Sequence, residues 1–152
     1  MKTISREIPI AEITIRKYEK SDNLEGRELV RKLCLSLGLL QKGDSRDIIV
    51  DVLFVFLWAK KGLSTEEIVK WVKEERKRHK LDEKGITLSN IMRQIKRLKG
   101  ILLVEKTKNT YKITEKLTIT EIFEEKIVKF IIEPTVARIK EYTQKIDESY
   151  KL

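Results

Sequence analysis

Apolar residues recur through most of this chain with the three- and four-residue spacing that places side chains on one face of a helix. The pattern predicts a first helix over residues 24 to 37 and a second over residues 44 to 61. The first carries an apolar stripe: Leu29, Val30, Leu33, Cys34 and Leu37. The second is apolar on nearly every face, as is typical of a helix at the centre of a core or at a subunit interface. Asp44 or Ser45 is predicted to cap it, with Asp47 in its first turn.

A third helix is predicted over residues 65 to about 79. Ser64 and Glu67 have the spacing of a capping box, in which each side chain accepts a hydrogen bond from the backbone N–H of the other residue. The first half of this helix has an apolar face, whereas residues 73 to 80 are all polar or charged. We therefore expect the second half to be solvated.

The stretch from residue 85 to residue 114 combines a short basic helix with a two-stranded ribbon. Thr87 or Ser89 can cap a helix that runs to residue 99. One face of this helix is apolar: Ile91, Ile95 and Leu98. The opposite face is predicted to be polar: Asn90, Arg93, Gln94 and Arg97. Gly100 suits the left-handed conformation that often ends helices.

The ribbon is predicted from two short segments of β-branched or apolar residues, 101 to 104 and 111 to 113. Residues 106 to 110 lie between them and include two lysines. Asn109 suits a turn position. The sequence therefore predicts a β-hairpin with a basic tip.

Both ends of the chain add further apolar residues. Pro9 can open a helix through Tyr18, although the isoleucines there also fit an extended segment. Thr118 or Thr120 can start a C-terminal helix, which Pro134 is expected to kink or split. That helix carries a long apolar series: Ile122, Phe123, Ile127, Phe130, Ile131, Ile139, Tyr142 and Ile146. We interpret the series as a homodimer interface, with packing against residues 1 to 40 of the same chain as the alternative.

The charge of the chain is concentrated in one region. Of 152 residues, 41% are hydrophobic and 38% charged, and the formal net charge is +9. The high charged fraction, with few Gln and Asn residues, fits a thermophile protein. Residues 60 to 116 contain 17 basic and 8 acidic residues, so the whole excess lies there. Such a region attracts phosphates and predicts salt-dependent binding to nucleic acid, although a lysine-rich thermophile surface would look similar.

The residues from 85 to 114 resemble the winged helix-turn-helix DNA-binding family, in its archaeal or thermophile type of transcriptional regulator. In that family the recognition helix has a leucine near its end, followed by a glycine, an apolar strand, a basic wing and a second strand. Leu98, Gly100 and the two predicted strands match this order, and the resemblance covers roughly residues 44 to 116. It implies a mainly α fold with a small antiparallel β-hairpin. Residues 1 to 43 would then be an N-terminal helical extension, and residues 117 to 152 a C-terminal helical dimerisation segment.

These observations together predict a regulator that inserts its recognition helix into the major groove of double-stranded DNA. Arg93 and Arg97 are expected at guanine edges, and Asn90 and Gln94 suit adenine. The other expected contacts are with phosphates, the backbone or the minor groove: Ser89, Lys96, Lys99, Lys106, Lys108, Asn109, Thr110 and Lys112. The alternative is a winged-helix protein-interaction module in a transcription or replication assembly, with little direct DNA binding. The target sequence, the sign of regulation and any effector are not specified.

Enzymatic chemistry is not expected, and neither is a cofactor or a metal. A single cysteine, Cys34, and a single histidine, His79, supply neither a disulfide nor a zinc site nor a catalytic pair. The glycines are scattered, so no phosphate-binding loop is present. Residues 1 to 10 lack the apolar segment of a signal peptide, and the longest apolar run, residues 48 to 59, is too short to span a bilayer. We therefore expect a cytoplasmic, nucleoid-associated protein.

Overall fold

The computed structural model describes residues 6 to 152, which form a mainly helical protein with one small antiparallel sheet. This confirms the predicted mainly α class with a β-hairpin. Between residue 26 and the sheet lie α1 (Gly26–Ser36), α2 (Ile48–Ala59), α3 (Thr65–Arg78) and α4 (Leu88–Gly100). The sheet and the turn after it comprise β1 (Val104–Thr107), β2 (Thr110–Ile113) and a 3-10 turn (Thr114–Lys116). The C-terminal helix comprises α5 (Ile119–Ile122), a π-helical segment (Phe123–Ile132) and α6 (Glu133–Tyr150).

Helix α2 lies at the centre of the core, as its apolar sequence predicts. Helices α1, α3 and α4 and strand β2 all pack against it. Its buried apolar residues are Ile48, Ile49, Val50, Val52, Leu53, Val55 and Phe56. Burying one large aliphatic or aromatic side chain contributes about 1.5–3 kcal/mol, so α2 holds the other elements in place. Its N-cap residue is Asp47 rather than Asp44 or Ser45, and the Asp47 side chain makes no cap hydrogen bond.

A buried ion-pair network explains the charged residues that interrupt the apolar pattern. Arg27 Nε lies 2.9 Å from Asp51 Oδ1, and Arg76 Nη1 lies 2.6 Å from Asp47 Oδ1 and 3.0 Å from Asp51 Oδ2. Glu75 and Arg76 are buried, so the expectation that the second half of α3 is solvated is wrong for both. Burial opposes ionisation of Asp47, but hydrogen bonds from Arg76 and Arg27 outweigh this effect and lower its pKa.

The hairpin is attached to the link between α2 and α3. Thr107 pairs with Thr110 at the closed end of the sheet, so the tip is a two-residue turn. In the α2–α3 link, the backbone N–H of Leu63 donates to the carbonyl of Tyr111 at 2.8 Å, and Tyr111 returns a bond of 2.9 Å. Strand β1 also packs against α4. The hairpin is therefore held beside α4 by two separate parts of the core.

Strand β1 begins later than predicted, because residues 101 to 103 form a turn. The left-handed residue of this turn is Leu102, with a φ of 69°, rather than Gly100, which is the last residue of α4. The N–H of Leu103 donates to the carbonyl of Leu98 at 3.0 Å, and the Leu103 side chain is fully buried. The turn thus places one more apolar side chain in the core before the strand starts.

Residues 9 to 18 are not helical, so the predicted N-terminal helix is wrong. Arg16 holds this segment against the end of α1. Its backbone N–H donates to the carbonyl of Ser36 at 2.8 Å, and its guanidinium donates to two further carbonyls nearby. The segment passes so close to Gly38, whose φ is +72°, that a Cβ at this position would overlap Thr14. These contacts between distant residues replace the local bonds of a helix.

The C-terminal helix is continuous, but only its first part joins the core. A capping box between Thr118 and Glu121 starts the helix. Of the two predicted starts, Thr118 and Thr120, the first is therefore observed. Ile122 and Ile127 are fully buried, whereas no residue of α6 is buried. The first third of the segment therefore packs within its own chain, and α6 projects from it.

Pro134 changes the hydrogen-bond pattern of the C-terminal helix without interrupting it. The π-helical segment ends at Ile132, just before the proline, and α6 continues through it. A proline lacks the backbone donor of a regular helical turn, and its ring crowds the carbonyl four residues earlier. The hydroxyl of Thr135 donates to the carbonyl of Ile131 and satisfies one acceptor in this region.

Candidate nucleic-acid interface

Helix α4 presents a narrow polar stripe opposite its buried face. Ser89, Arg93 and Lys96 are exposed and follow a four- and three-residue spacing, so they lie along one side of the helix. The buried side consists of Ile91, Ile95 and Leu98. Thr87 caps the helix, since its hydroxyl accepts the N–H of Asn90 at 3.2 Å. This cap sets the N-terminal end of α4, where the polar stripe begins.

Three of the four polar residues predicted to face outward lie instead on one flank of α4, joined by hydrogen bonds. Asn90 Nδ2 donates to the carbonyl of Gly85 at 2.8 Å, and Gln94 Nε2 donates to Asn90 Oδ1 at 3.0 Å. Arg97 Nη1 donates to Gln94 Oε1 at 2.9 Å. Each side chain in this row is oriented by the next. Arg93 is therefore the one member of the predicted set that belongs to the outward stripe.

Arg97 also connects α4 to the segment that precedes α2. Its Nη2 atom donates to the carbonyl of Leu39 at 2.7 Å, although the two residues are 58 positions apart. An arginine has five N–H donors, so two bonds within the protein leave others available. The Arg97 side chain is exposed, but its guanidinium is held in place by the bonds to Gln94 and Leu39.

A groove of about 660 Å³ lies along this flank, between α4 and the residues before α2. Several cations line it: Arg46, Arg76, Lys84, Arg93 and Arg97. Arg46 and Lys84 were not among the predicted contacts, and the Arg46 side chain is 91% exposed. Their spacing gives no helical signal, because both lie in links between helices. Only the fold brings them beside α4.

Two carboxylates also line the groove, but each is engaged by its own loop. Asp44 Oδ1 accepts the backbone N–H of Arg46 at 2.9 Å, and Asp82 Oδ1 accepts the backbone N–H of Lys84 at 2.6 Å. The bond from the Arg46 backbone is the main reason that the pKa of Asp44 is lowered. Asp44 Oδ1 also lies 3.3 Å from Arg46 Nε and offsets part of its charge. The five cations that line the groove still outnumber these two carboxylates.

The hairpin tip lies on the opposite flank of α4. Lys106 and Asn109 line a shallow depression together with Met92 of α4. Lys106, Lys108 and Asn109 are exposed, as is Lys99 near the end of α4. Lys108, rather than Asn109, holds the left-handed turn position, with a φ of 57°.

Two predicted hairpin contacts have other surroundings. The hydroxyl of Thr110 donates to the carbonyl of Thr107 at 3.0 Å and so closes the turn. Lys112 is half-buried and lines a cavity beside the end of α2, away from the tip. Neither side chain extends the basic surface of the tip.

The predicted dimer interface separates into two parts. Ile122 and Ile127 are buried in the core of their own chain, so their assignment to a contact with a second chain is wrong. Ile131 is half-buried. The other members are exposed: Phe123, Phe130, Ile139, Tyr142 and Ile146.

The single cysteine, Cys34, is buried in the core. Burial raises the pKa of the Cys34 thiol to about 12, which makes it a poor nucleophile at neutral pH. Within residues 6 to 152, no group of three or more His, Cys, Asp or Glu side chains is placed to hold a metal ion. The same residues include no helix with the length and apolar character needed to cross a membrane. Comparisons with protein-family models, with curated proteins and with solved structures find no match to this chain.

Proposed function

We propose that this protein is a DNA-binding transcriptional regulator of the winged helix-turn-helix type, in which α4 is the recognition helix and the hairpin is the wing. The observation that carries the proposal is the distribution of cations around α4. The exposed stripe of Ser89, Arg93 and Lys96 is flanked by the cationic groove on one side and by the basic hairpin tip on the other.

This arrangement suits the shape of duplex DNA. The major groove is about 12 Å wide and admits one helix, with a sugar-phosphate backbone on each side. With α4 in the groove, Arg93 reaches base edges, where arginine bonds guanine best. Arg46 and Lys84 then face one backbone, and Lys106 and Lys108 face the other. Phosphate contacts on both flanks fix the register of the reading residue.

The double variant Arg93→Ala/Lys96→Ala tests the reading stripe. We expect weaker binding to a DNA duplex that has been selected for its affinity to the natural protein. The loss should be about 1–3 kcal/mol for each base edge that the variant no longer bonds, because a bidentate arginine contributes that much discrimination. Thermal stability should not change, since both side chains are exposed. Titration with fluorescent duplexes at several salt concentrations measures the affinity.

Lys73→Ala/Lys77→Ala is the matched control, because it removes the same charge from exposed positions on α3 that do not line the groove. The control should bind nearly as tightly as the natural protein. Equal losses of affinity in the two double variants would show that net charge, and not the α4 stripe, determines binding. Unchanged affinity in Arg93→Ala/Lys96→Ala would refute α4 as the reading helix.

We further propose that the regulator is a homodimer joined by α6. Apolar or small residues recur in α6 at alternating three- and four-residue spacing: Val136, Ile139, Thr143, Ile146 and Tyr150. This is the a and d pattern of a coiled coil, in which each a or d side chain inserts between four residues of the partner helix. Two copies of the same helix therefore fit each other. Tyr142 lies beside this seam rather than in it.

A protein-interaction module with little DNA binding is the second candidate. It is supported by the exposed apolar residues of α6, which exceed what DNA contact requires. The dependence of random-duplex binding on salt separates the two functions. A regulator loses affinity steeply as salt rises, with a slope of about −0.9 for each phosphate contacted, whereas an interaction module binds little DNA even at low salt.

A further inference from the structure

A cavity of about 320 Å³ lies between the end of α2, strand β2 and the turn that leads into α5. Its walls are apolar: Phe56, Leu57, Ile113, Leu117 and Ile119. Small-molecule sites usually measure about 300–1,000 Å³ and are lined mainly by such side chains. The cavity therefore has the size and the surface to hold a small apolar group.

Four lysines surround these apolar walls: Lys60, Lys61, Lys112 and Lys116. Among the described residues, no carboxylate lines the cavity. Within the part of the chain that the structure describes, none of the four takes part in an ion pair. Glu115, the nearest carboxylate along the chain, lies 2.9 Å from Lys126 instead. Four like charges around one small cavity repel each other, and an anion between them would relieve that repulsion.

Two of these lysines occupy backbone conformations that L-residues rarely adopt. Lys60, which ends α2, and Lys116, in the turn before α5, both have a φ of 55°. Glycine would adopt this conformation without the steric clash of a Cβ. Rare backbone conformations of this kind are enriched at ligand and active sites, although turns of this chain adopt them too, as at Lys80 and Lys108. Here two of them line the same cavity.

We propose that the cavity binds an organic carboxylate with a short apolar body. The carboxylate lies among the lysine ammonium groups, and the apolar body rests on Phe56 and Leu117. A sugar-phosphate backbone fits less well, because it has no apolar group to cover these walls. The site is separate from the α4 surface, so the proposal does not depend on DNA binding. It also gives Lys112 a role that its position away from the hairpin tip does not otherwise explain.

Titration of the isotope-labelled full chain with octanoate, followed by amide NMR shifts, tests the proposal. We expect saturable shifts confined to residues that line the cavity. Two comparison ligands separate the parts of the recognition. Octanol has the same apolar body without the charge, and acetate has the charge without the body, so both should bind at least tenfold more weakly than octanoate.

The variant Lys112→Gln/Lys116→Gln should weaken octanoate binding about tenfold while leaving octanol binding unchanged. Lys140→Gln/Lys145→Gln removes the same charge from exposed positions of α6 and should bind octanoate as the natural protein does. Octanoate shifts that do not saturate, that spread over the surface, or that weaken equally in both variants would overturn the proposal. The thermal stability of each variant, measured alongside, shows whether the cavity variant is folded.

Discussion

Asp47 is a single residue on which three elements depend. Its carboxylate lies 3.0 Å from Arg27 of α1, 2.7 Å from Arg31 of α1 and 2.6 Å from Arg76 of α3, at the start of α2. A buried charge that loses its partner costs far more than an exposed one, because it cannot regain its hydration. We therefore expect Asp47→Asn to lower the free energy of unfolding at neutral pH by about 3 kcal/mol, measured by urea denaturation.

The loss of stability in Asp47→Asn should depend on pH. The pKa of Asp47 is lowered in the folded protein from an ordinary value of 3.8, so its ionised form stabilises the fold above that value. This contribution disappears as the pH falls through the folded pKa. The difference between the natural protein and Asp47→Asn should therefore shrink below about pH 3.8. Asp22→Asn, at an exposed position, should change stability little at any pH, and a constant difference for Asp47→Asn would contradict the role of the charge.

The roles of individual polar residues on α4 could be predicted only in part. Helical spacing identifies the buried face, because Ile91 and Ile95 follow from local periodicity. It cannot distinguish Arg93 from Arg97, since both are arginines on a polar side. What separates them is the bond from Arg97 to the carbonyl of Leu39, a partner that lies 58 residues away. Arg46 and Lys84 were missed for the same reason, as loop residues join a surface only through the tertiary fold.

At the scale of elements, sequence predicted best where the determining contacts are local. The capping box of Ser64 and Glu67 was predicted as observed, and the cap at Thr87 was one of two candidates, because each cap joins residues three positions apart. The N-terminal segment was not, because its bond from Arg16 to Ser36 crosses the chain. The start of β1 was also misplaced, since the burial of Leu103 draws residues 101 to 103 into a turn. The spacing of apolar residues along the chain does not indicate contacts between distant residues.

The hairpin is the element whose tip can be altered with the least disturbance. Lys108 occupies a left-handed position, which costs an L-residue free energy that glycine does not lose. Lys108→Gly should raise the free energy of unfolding by up to about 1 kcal/mol. It should also reduce the salt slope of DNA binding by about one, because the proposed phosphate contact of Lys108 is removed.

Lys80→Gly is the control for this change, because Lys80 is also left-handed, with a φ of 55°, and exposed, but lies outside the hairpin and the groove. It should gain similar stability with no change in the salt slope. If both substitutions change the slope equally, the hairpin tip does not contact the DNA backbone.

On the scale of the whole molecule, apolar residues are buried in the core around α2 but exposed along α6. The core around α2 uses residues from α1 to the start of the C-terminal helix, ending with the buried Ile127. Beyond it, α6 continues for 18 residues, none of which is buried. An exposed apolar stripe of this length is unusual for a monomer, and its spacing suits the proposed pairing with a helix of the same period. This helix is about 27 Å long, which is short for a coiled coil, so dimerisation should depend on concentration.

The double variant Ile139→Glu/Ile146→Glu tests this assembly, because it places charges in the seam at positions that are exposed in the single chain. Sedimentation over a concentration series should show a dimer for the natural protein and a 17.9 kDa monomer for the variant. Ala137→Glu/Gln144→Glu introduces the same groups on the outer side of α6, one residue after the Val136 and Thr143 positions of the seam, and should remain dimeric. In the proposed dimer, two recognition helices joined by α6 hold two half-sites at once. The seam variant should therefore bind a two-fold-symmetric site only as tightly as it binds a half-site, while its affinity for the half-site stays that of the natural protein. A natural protein that sediments as a monomer at every concentration would leave α6 without a role in self-association.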